Sequence, residues 1–238
     1  MNAFRELLVE TRSAAAQAHP TPIGNPVVTP ILEPVPRKAV SPKSLVHEEQ
    51  IHALIQQLFF RHEAGPVRHV GFAPVGAFTA TATLCLEVAR ALAEEGRYDV
   101  GLIDTHSDPV LLQTELQIPA PHHTLTTWPI GPRLWMVPRQ SWLPEASGQR
   151  LTEQNLSRLR ELTAEFDFSI LWCAPVSWLT ASIGQSCDGL VLVLTANKTR
   201  RLVAAQIKDQ LIKARVPLLG TVLAERRFPV PQALYRSL

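Results

Sequence analysis

Six short segments of this chain are apolar at nearly every position: VRHVGFA (67–73), DVGLID (99–104), LWMV (134–137), FSILWCA (168–174), GLVLVLTA (189–196) and LLGTVLA (218–224). A strand with one wet face alternates apolar and polar residues, so near-continuous apolarity over so few positions marks strands covered on both faces. Helical stretches intervene at TATATLCLEVARALAEEG (79–96), LTEQNLSRLRELTAEF (151–166) and TRRLVAAQIKDQLIKA (199–214), and a further apolar helix is expected at 49–60. Strands and helices in alternation call for parallel pairing through helical crossovers. The expected fold class is therefore α/β, a three-layer, mostly parallel sheet with helices on both faces. Ligands of such sheets bind at the carboxyl ends of the strands, where the strand order reverses.

The segment before this pattern has a different character. Seven of the twenty prolines fall within the first 45 residues, and their missing N–H donors and the restricted residue before each proline exclude helix and central strand there. The expected division is a Pro-rich tail over 1–43 and one domain over 44–238. At the start of the tail, Phe4, Leu7 and Leu8 fall near one face of a short amphipathic helix, which makes them candidates for docking a partner. A content of 46% hydrophobic and 18% charged residues suits a substantial core. The net charge of +2 gives no ground for expecting nucleic acid, but it is unevenly spread. Residues 198–238 carry nine Lys or Arg against two Asp or Glu, so this end is +7 and the rest −5. Arg200 and Arg201 lie there and are the second candidate docking site. Three cysteines, Cys85, Cys173 and Cys187, form no C-x-x-C pair and read as buried thiols of a cytoplasmic protein. No secretory signal and no membrane span is read.

The first apolar segment runs into VGFAPVGAFTATAT (70–83), a strand, turn and helix start. Gly71 and Gly76 have the spacing of the two glycines in G-x-x-x-x-G-K-[ST], the loop that holds phosphates with backbone N–H groups and a lysine. Ala77 and Phe78 stand where the lysine and the hydroxyl residue belong, and no lysine occurs between Ser44 and Asn197. Thr79 is read as a helix cap, with metal ligation as the alternative. Losing both the cation and a well-fitted loop removes ~3–6 kcal/mol, on the order of a hundred-fold to ten-thousand-fold in affinity. Elsewhere, His122 and His123 are adjacent and have no metal-ligand spacing, so they read as loop residues and no metal is expected. Trp128, Trp135 and Trp142 recur every seven residues, yet Pro129, Pro132 and Pro138 exclude one continuous helix, so they read as core or rim packing.

From about Ser41 onward the chain resembles the bacterial tyrosine kinases of capsule and exopolysaccharide synthesis, a branch of the MinD/ParA-like P-loop ATPases. HEEQIHALIQQLFF is similar to the E-x-x-R-x-x-R oligomerisation helix of that family, with Glu49 matching and His52 and Ile55 in place of arginines. VGLIDTHSDP resembles the acidic strand motif L-L-I-D-x-D-x-R-x-P, keeping Asp104 and placing His106 at the second aspartate. FDFSILWCAPV resembles F-D-Y-V-I-I-D-T-P-P, with Trp172 at the Walker B aspartate and Cys173 at the threonine. The resemblance implies a P-loop NTPase-like fold and degenerate nucleotide-site positions at Gly71, Gly76, Ala77, Phe78, Thr79, Asp104 and Trp172. Phosphoryl transfer depends on positioning and charge neutralisation by the groups replaced here. No catalytic residue and no cofactor is therefore expected, with remnant ATP or ADP binding as the alternative.

The functional expectation is a catalytically inactive, kinase-like accessory protein. Its implied partners are a membrane-anchored polysaccharide chain-length regulator or an active homologous kinase, with weak self-association and a place at the inner membrane through the partner. A divergent ATPase or tyrosine kinase with an unusual nucleotide site, and a MinD/ParA-like positioning module, are the competing expectations.

Overall fold

The computed structural model describes residues 42–60, 66–76, 80–96, 98–106, 112, 127–144 and 151–224, with backbone alone for 42–47, 80 and 96. The chain divides into two units, Met1–Val40 and Ser41–Leu238. The first lies outside the described residues, and with it Phe4, Leu7 and Leu8. In the second, α1 (Pro42–Ile55) runs into a single wide turn, Gln56–Phe60, before β1 (His69–Pro74), α2 (Ala80–Gly96) and β2 (Val100–Thr105). A hairpin of β3 (Trp128–Gly131) and β4 (Leu134–Val137) follows, with a 3-10 turn over Arg139–Ser141. Then come α3 (Glu153–Ala164), β5 (Phe168–Cys173), α4 (Trp178–Gly184), β6 (Gly189–Thr195), α5 (Arg201–Lys213) and β7 (Leu218–Ala224).

These strands form one seven-stranded sheet in the order β3-β4-β2-β5-β1-β6-β7, parallel except for β3 against β4. The period-two alternation of side chains divides the core between the two faces. On one face Phe72, Leu102, Ile170 and Val191 pack with Ile51, Ile55 and Phe59 of the α1 region and with Val88 and Leu92 of α2. On the other, Ile103, Leu171 and Leu192 pack with Leu159 and Leu162 of α3, Ile183 of α4 and Leu211 of α5. Helices on both faces of a mostly parallel sheet are the expected three-layer α/β architecture.

All six expected strands are present, and the structure adds elements that the pattern did not announce. β3 contains Pro129, and it forms because β3 is the edge of the sheet, where a missing N–H breaks no ladder on the open side. α4 has seven residues, too few for a readable period, and starts at Ser177, whose hydroxyl accepts from the Thr180 N–H. α1 begins seven residues before the expected 49, at Pro42, because proline is well suited to the first helical position, where its missing N–H needs no partner.

Connectivity locates the crevice. From β1 the chain moves through α2 to β2, leaving room for β5 between them; β5 pairs with both, and β6 then lands on the far side of β1. The direction of strand addition thus reverses around β1 and β5. Their carboxyl ends, where Pro74 and Cys173 leave the sheet, are the place at which a sheet of this kind binds ligands.

Candidate functional site at the carboxyl ends of the strands

β1 carries Gly71 in its middle, opposite Leu171 on one side and Leu190 on the other. Its reason for being glycine is packing: a Cβ there would sit 2.4 Å from Leu190 Cδ2 and 3.2 Å from Cys173 Sγ. Gly76 lies just past the strand at φ +110°, a backbone conformation that side chains disfavour, and so it makes the turn that β1 needs. Ala77, Phe78 and Thr79 lie outside the described residues. At the first turn of α2, Thr81 is fully buried, and its hydroxyl has no hydrogen-bond partner among the described residues.

Asp104 and Trp172 are brought side by side, as directly paired residues of β2 and β5. Both are buried, Asp104 at 2% and Trp172 at 4% exposure. The Asp104 Oδ1 accepts from the His106 N–H at 2.9 Å. The His106 ring then folds back over the indole of Trp172, with ring centroids 4.7 Å apart and planes 14° from parallel. The strand ends are stitched to one another below this stack. Thr105 Oγ1 donates to the Trp172 carbonyl at 2.8 Å, and Trp142 Nε1 donates to the Asp104 carbonyl at 2.9 Å. Asn155, which belongs to the capping box of α3 with Thr152, donates in turn to the Trp142 carbonyl at 3.3 Å. Trp142 is thus a fully buried support of the site, and Arg139, which opens the 3-10 turn after β4, is buried at the same end of the sheet.

Sequence reasoning missed Trp142 and Arg139, and it placed His106 without foreseeing its stack. No local signal marks them, because β2 and the turn after β4 meet only through strand pairing. Trp128, Trp135 and Trp142, equally spaced in sequence, land in three environments: an edge strand, a half-buried contact with Phe166, and the site.

The chemistry that this arrangement can support is narrow. Cys173 ends β5, but burial outweighs a hydrogen bond with Thr105 and pushes its thiol up to about 12, so it stays protonated and is no nucleophile near neutral pH. Among the described residues no group of three His, Cys, Asp or Glu side chains could hold a metal ion. Arg68 sits before β1, exposed and at the opposite end of the sheet, where its backbone N–H donates to Asp188. Arg90 is exposed on α2. Arg200 caps α5 without a side-chain bond, and Arg201 opens it; both are exposed in the other helix layer. The helix that resembles an oligomerisation helix is engaged within the chain: Ile55 is fully buried, and His52 is hydrogen-bonded to Glu95 of α2.

No family model and no curated protein matches the chain. Solved structures do. The chimerical protein CapA2B2 is 14% identical over 79% of this chain and 86% of its own, with a TM-score of 0.62. The kinase domain of the Escherichia coli tyrosine kinase ETK is 14% identical over 77% and 79%, with a TM-score of 0.59. A ParA family ATPase from Chlorobium tepidum is 15% identical over 71% and 78%, at 0.52. This is a P-loop NTPase-like fold. At such identities the likeness is one of architecture, and it leaves the chemistry to the residues at the strand ends.

Proposed function

We propose that this chain is a catalytically inactive, tyrosine-kinase-like accessory protein that acts by binding other proteins in the synthesis or export of a bacterial surface polysaccharide. The observation that carries the proposal is the His106–Trp172 stack beside Asp104. Where the resemblance places the carboxylate that orders the magnesium shell, a buried indole stands, closed over by an imidazole. Asp104 is itself an anion and neutralises no transferring phosphoryl group, the sequence from Ser44 to Asn197 offers no lysine, and the buried Arg139 follows β4, three strands away from the loop after β1.

Partner binding would use a membrane-anchored chain-length regulator or an active homologous kinase, through the tail with Phe4, Leu7 and Leu8 and through Arg200 and Arg201. Self-association through α1 would be weak, because Ile55 is buried in the fold and the exposed His52 is engaged by Glu95 of the same chain. Calorimetry with Mg-ATP and Mg-ADP, together with a hydrolysis assay, tests the proposal. No binding in the micromolar range and no turnover above the buffer blank is expected; turnover abolished by Asp104→Ala would replace the proposal with the divergent ATPase, the reading that the burial of Asp104 favours.

A further inference from the structure

The helix layer formed by α3, α4 and α5 has a surface that the nucleotide-site argument leaves unused. α4 and α5 each begin where a strand ends, α4 after β5 and α5 after β6, so Trp178 and the run Arg200–Val203 stand at the carboxyl edge of one layer. Trp178 is 65% exposed on α4, and Leu202 at 70% and Val203 at 40% are exposed on α5. Side chains this open stand out from the surface, away from the core contacts that their size would favour. Arg200 and Arg201 directly precede Leu202 and Val203. Farther along the same helix Lys208 and Lys213 are exposed and Ile212 is open to solvent, and Arg215, just past its end, is exposed too. Among the described residues none of these five cations takes part in an ion pair. On α3, Glu153 is paired with Arg160 and Glu161 with Arg158, Glu165 follows that helix, and Asp209 is the one acid on α5.

We propose that this edge, Trp178 with Arg200, Arg201, Leu202 and Val203, docks on an anionic lipid bilayer. Each component has a separate task there. An indole settles in the headgroup region with its ring in the apolar boundary, and short apolar side chains beside it enter the same layer. Arginines at the rim meet lipid phosphates, an attraction that acts within a Debye length of the surface. A nucleic acid would use the cations but has no place for Leu202 and Val203 along its phosphates. An acidic protein surface would need a matching pocket for projecting apolar groups, whereas a fluid bilayer needs none. The proposal shares Arg200 and Arg201 with the protein docking read above and is separated from it by a vesicle assay that holds no second protein.

Sedimentation of the full chain with sucrose-loaded vesicles tests it, comparing phosphatidylcholine alone with mixtures containing about one third phosphatidylglycerol. Binding to the anionic vesicles only, lost at ~0.5 M NaCl, is expected. The double variant Arg200→Glu, Arg201→Glu should lower the partition coefficient about tenfold or more, and Trp178→Ser with Leu202→Ser by about tenfold at unchanged charge. Arg200→Lys with Arg201→Lys should retain binding, which separates a charge effect from a folding defect. Equal binding to both kinds of vesicle, unchanged binding by either double variant, or binding to duplex DNA or an acidic protein without binding to vesicles would each overturn the proposal.

Discussion

Gly71 illustrates how one residue can carry two arguments. Its spacing to Gly76 suggests a phosphate loop, yet in the structure it is a strand residue whose missing Cβ lets Leu190 and Cys173 close over β1. Gly76 is the one of the pair that sits at a positive φ. Gly71→Ala should cost about 1–3 kcal/mol in urea unfolding, because the new methyl overlaps Leu190 in a packed core. A change below about 0.5 kcal/mol would mean that Leu190 moves aside freely. Trp172 is the opposite case. The resemblance sets it where the similar family carries an acid, but only the fold supplied the imidazole that covers it.

At the scale of the element, α1 decides between self-association and packing. Its pattern resembles a helix that makes contacts between copies, and its buried residues Ile51 and Ile55 instead face the sheet of their own chain. Ile55→Arg, which restores the arginine of the related pattern, would bury an unpaired cation and should cost about 3–5 kcal/mol. His52→Arg should stay within about 0.5 kcal/mol, since an arginine can pair with Glu95 from the same exposed position. Thermal or urea melts of the two variants check both values, and a neutral Ile55→Arg would show that α1 leaves the core at little cost.

At the scale of the whole molecule, the sheet order places every argued feature. Reversal around β1 and β5 creates the crevice with Asp104, Trp172 and His106, while the exposed edge of α4 and α5 belongs to the opposite layer. The proposed closure of α1 onto its own sheet predicts a monomer or dimer by light scattering, at concentrations where a ring of copies would scatter several times more strongly. A stable ring of the unmodified chain would overturn that expectation.

The sequence by itself determined the layers. Strands apolar at nearly every position leave no face for water, so 67–73, 99–104, 168–174 and 189–196 call for parallel pairing beneath helices, and they pair so. It also determined that the loop after β1 contains no lysine, while folding brought the buried Arg139 to the same end of the sheet from another strand. The tertiary structure alone decided what fills their place. That His106 stacks on Trp172, that Trp142 reaches the Asp104 carbonyl from 38 residues away, and that Ile55 turns inward all depend on pairings between distant strands and helices. No local period or spacing encodes such pairings; they arise when a core closes and each buried donor must find an acceptor.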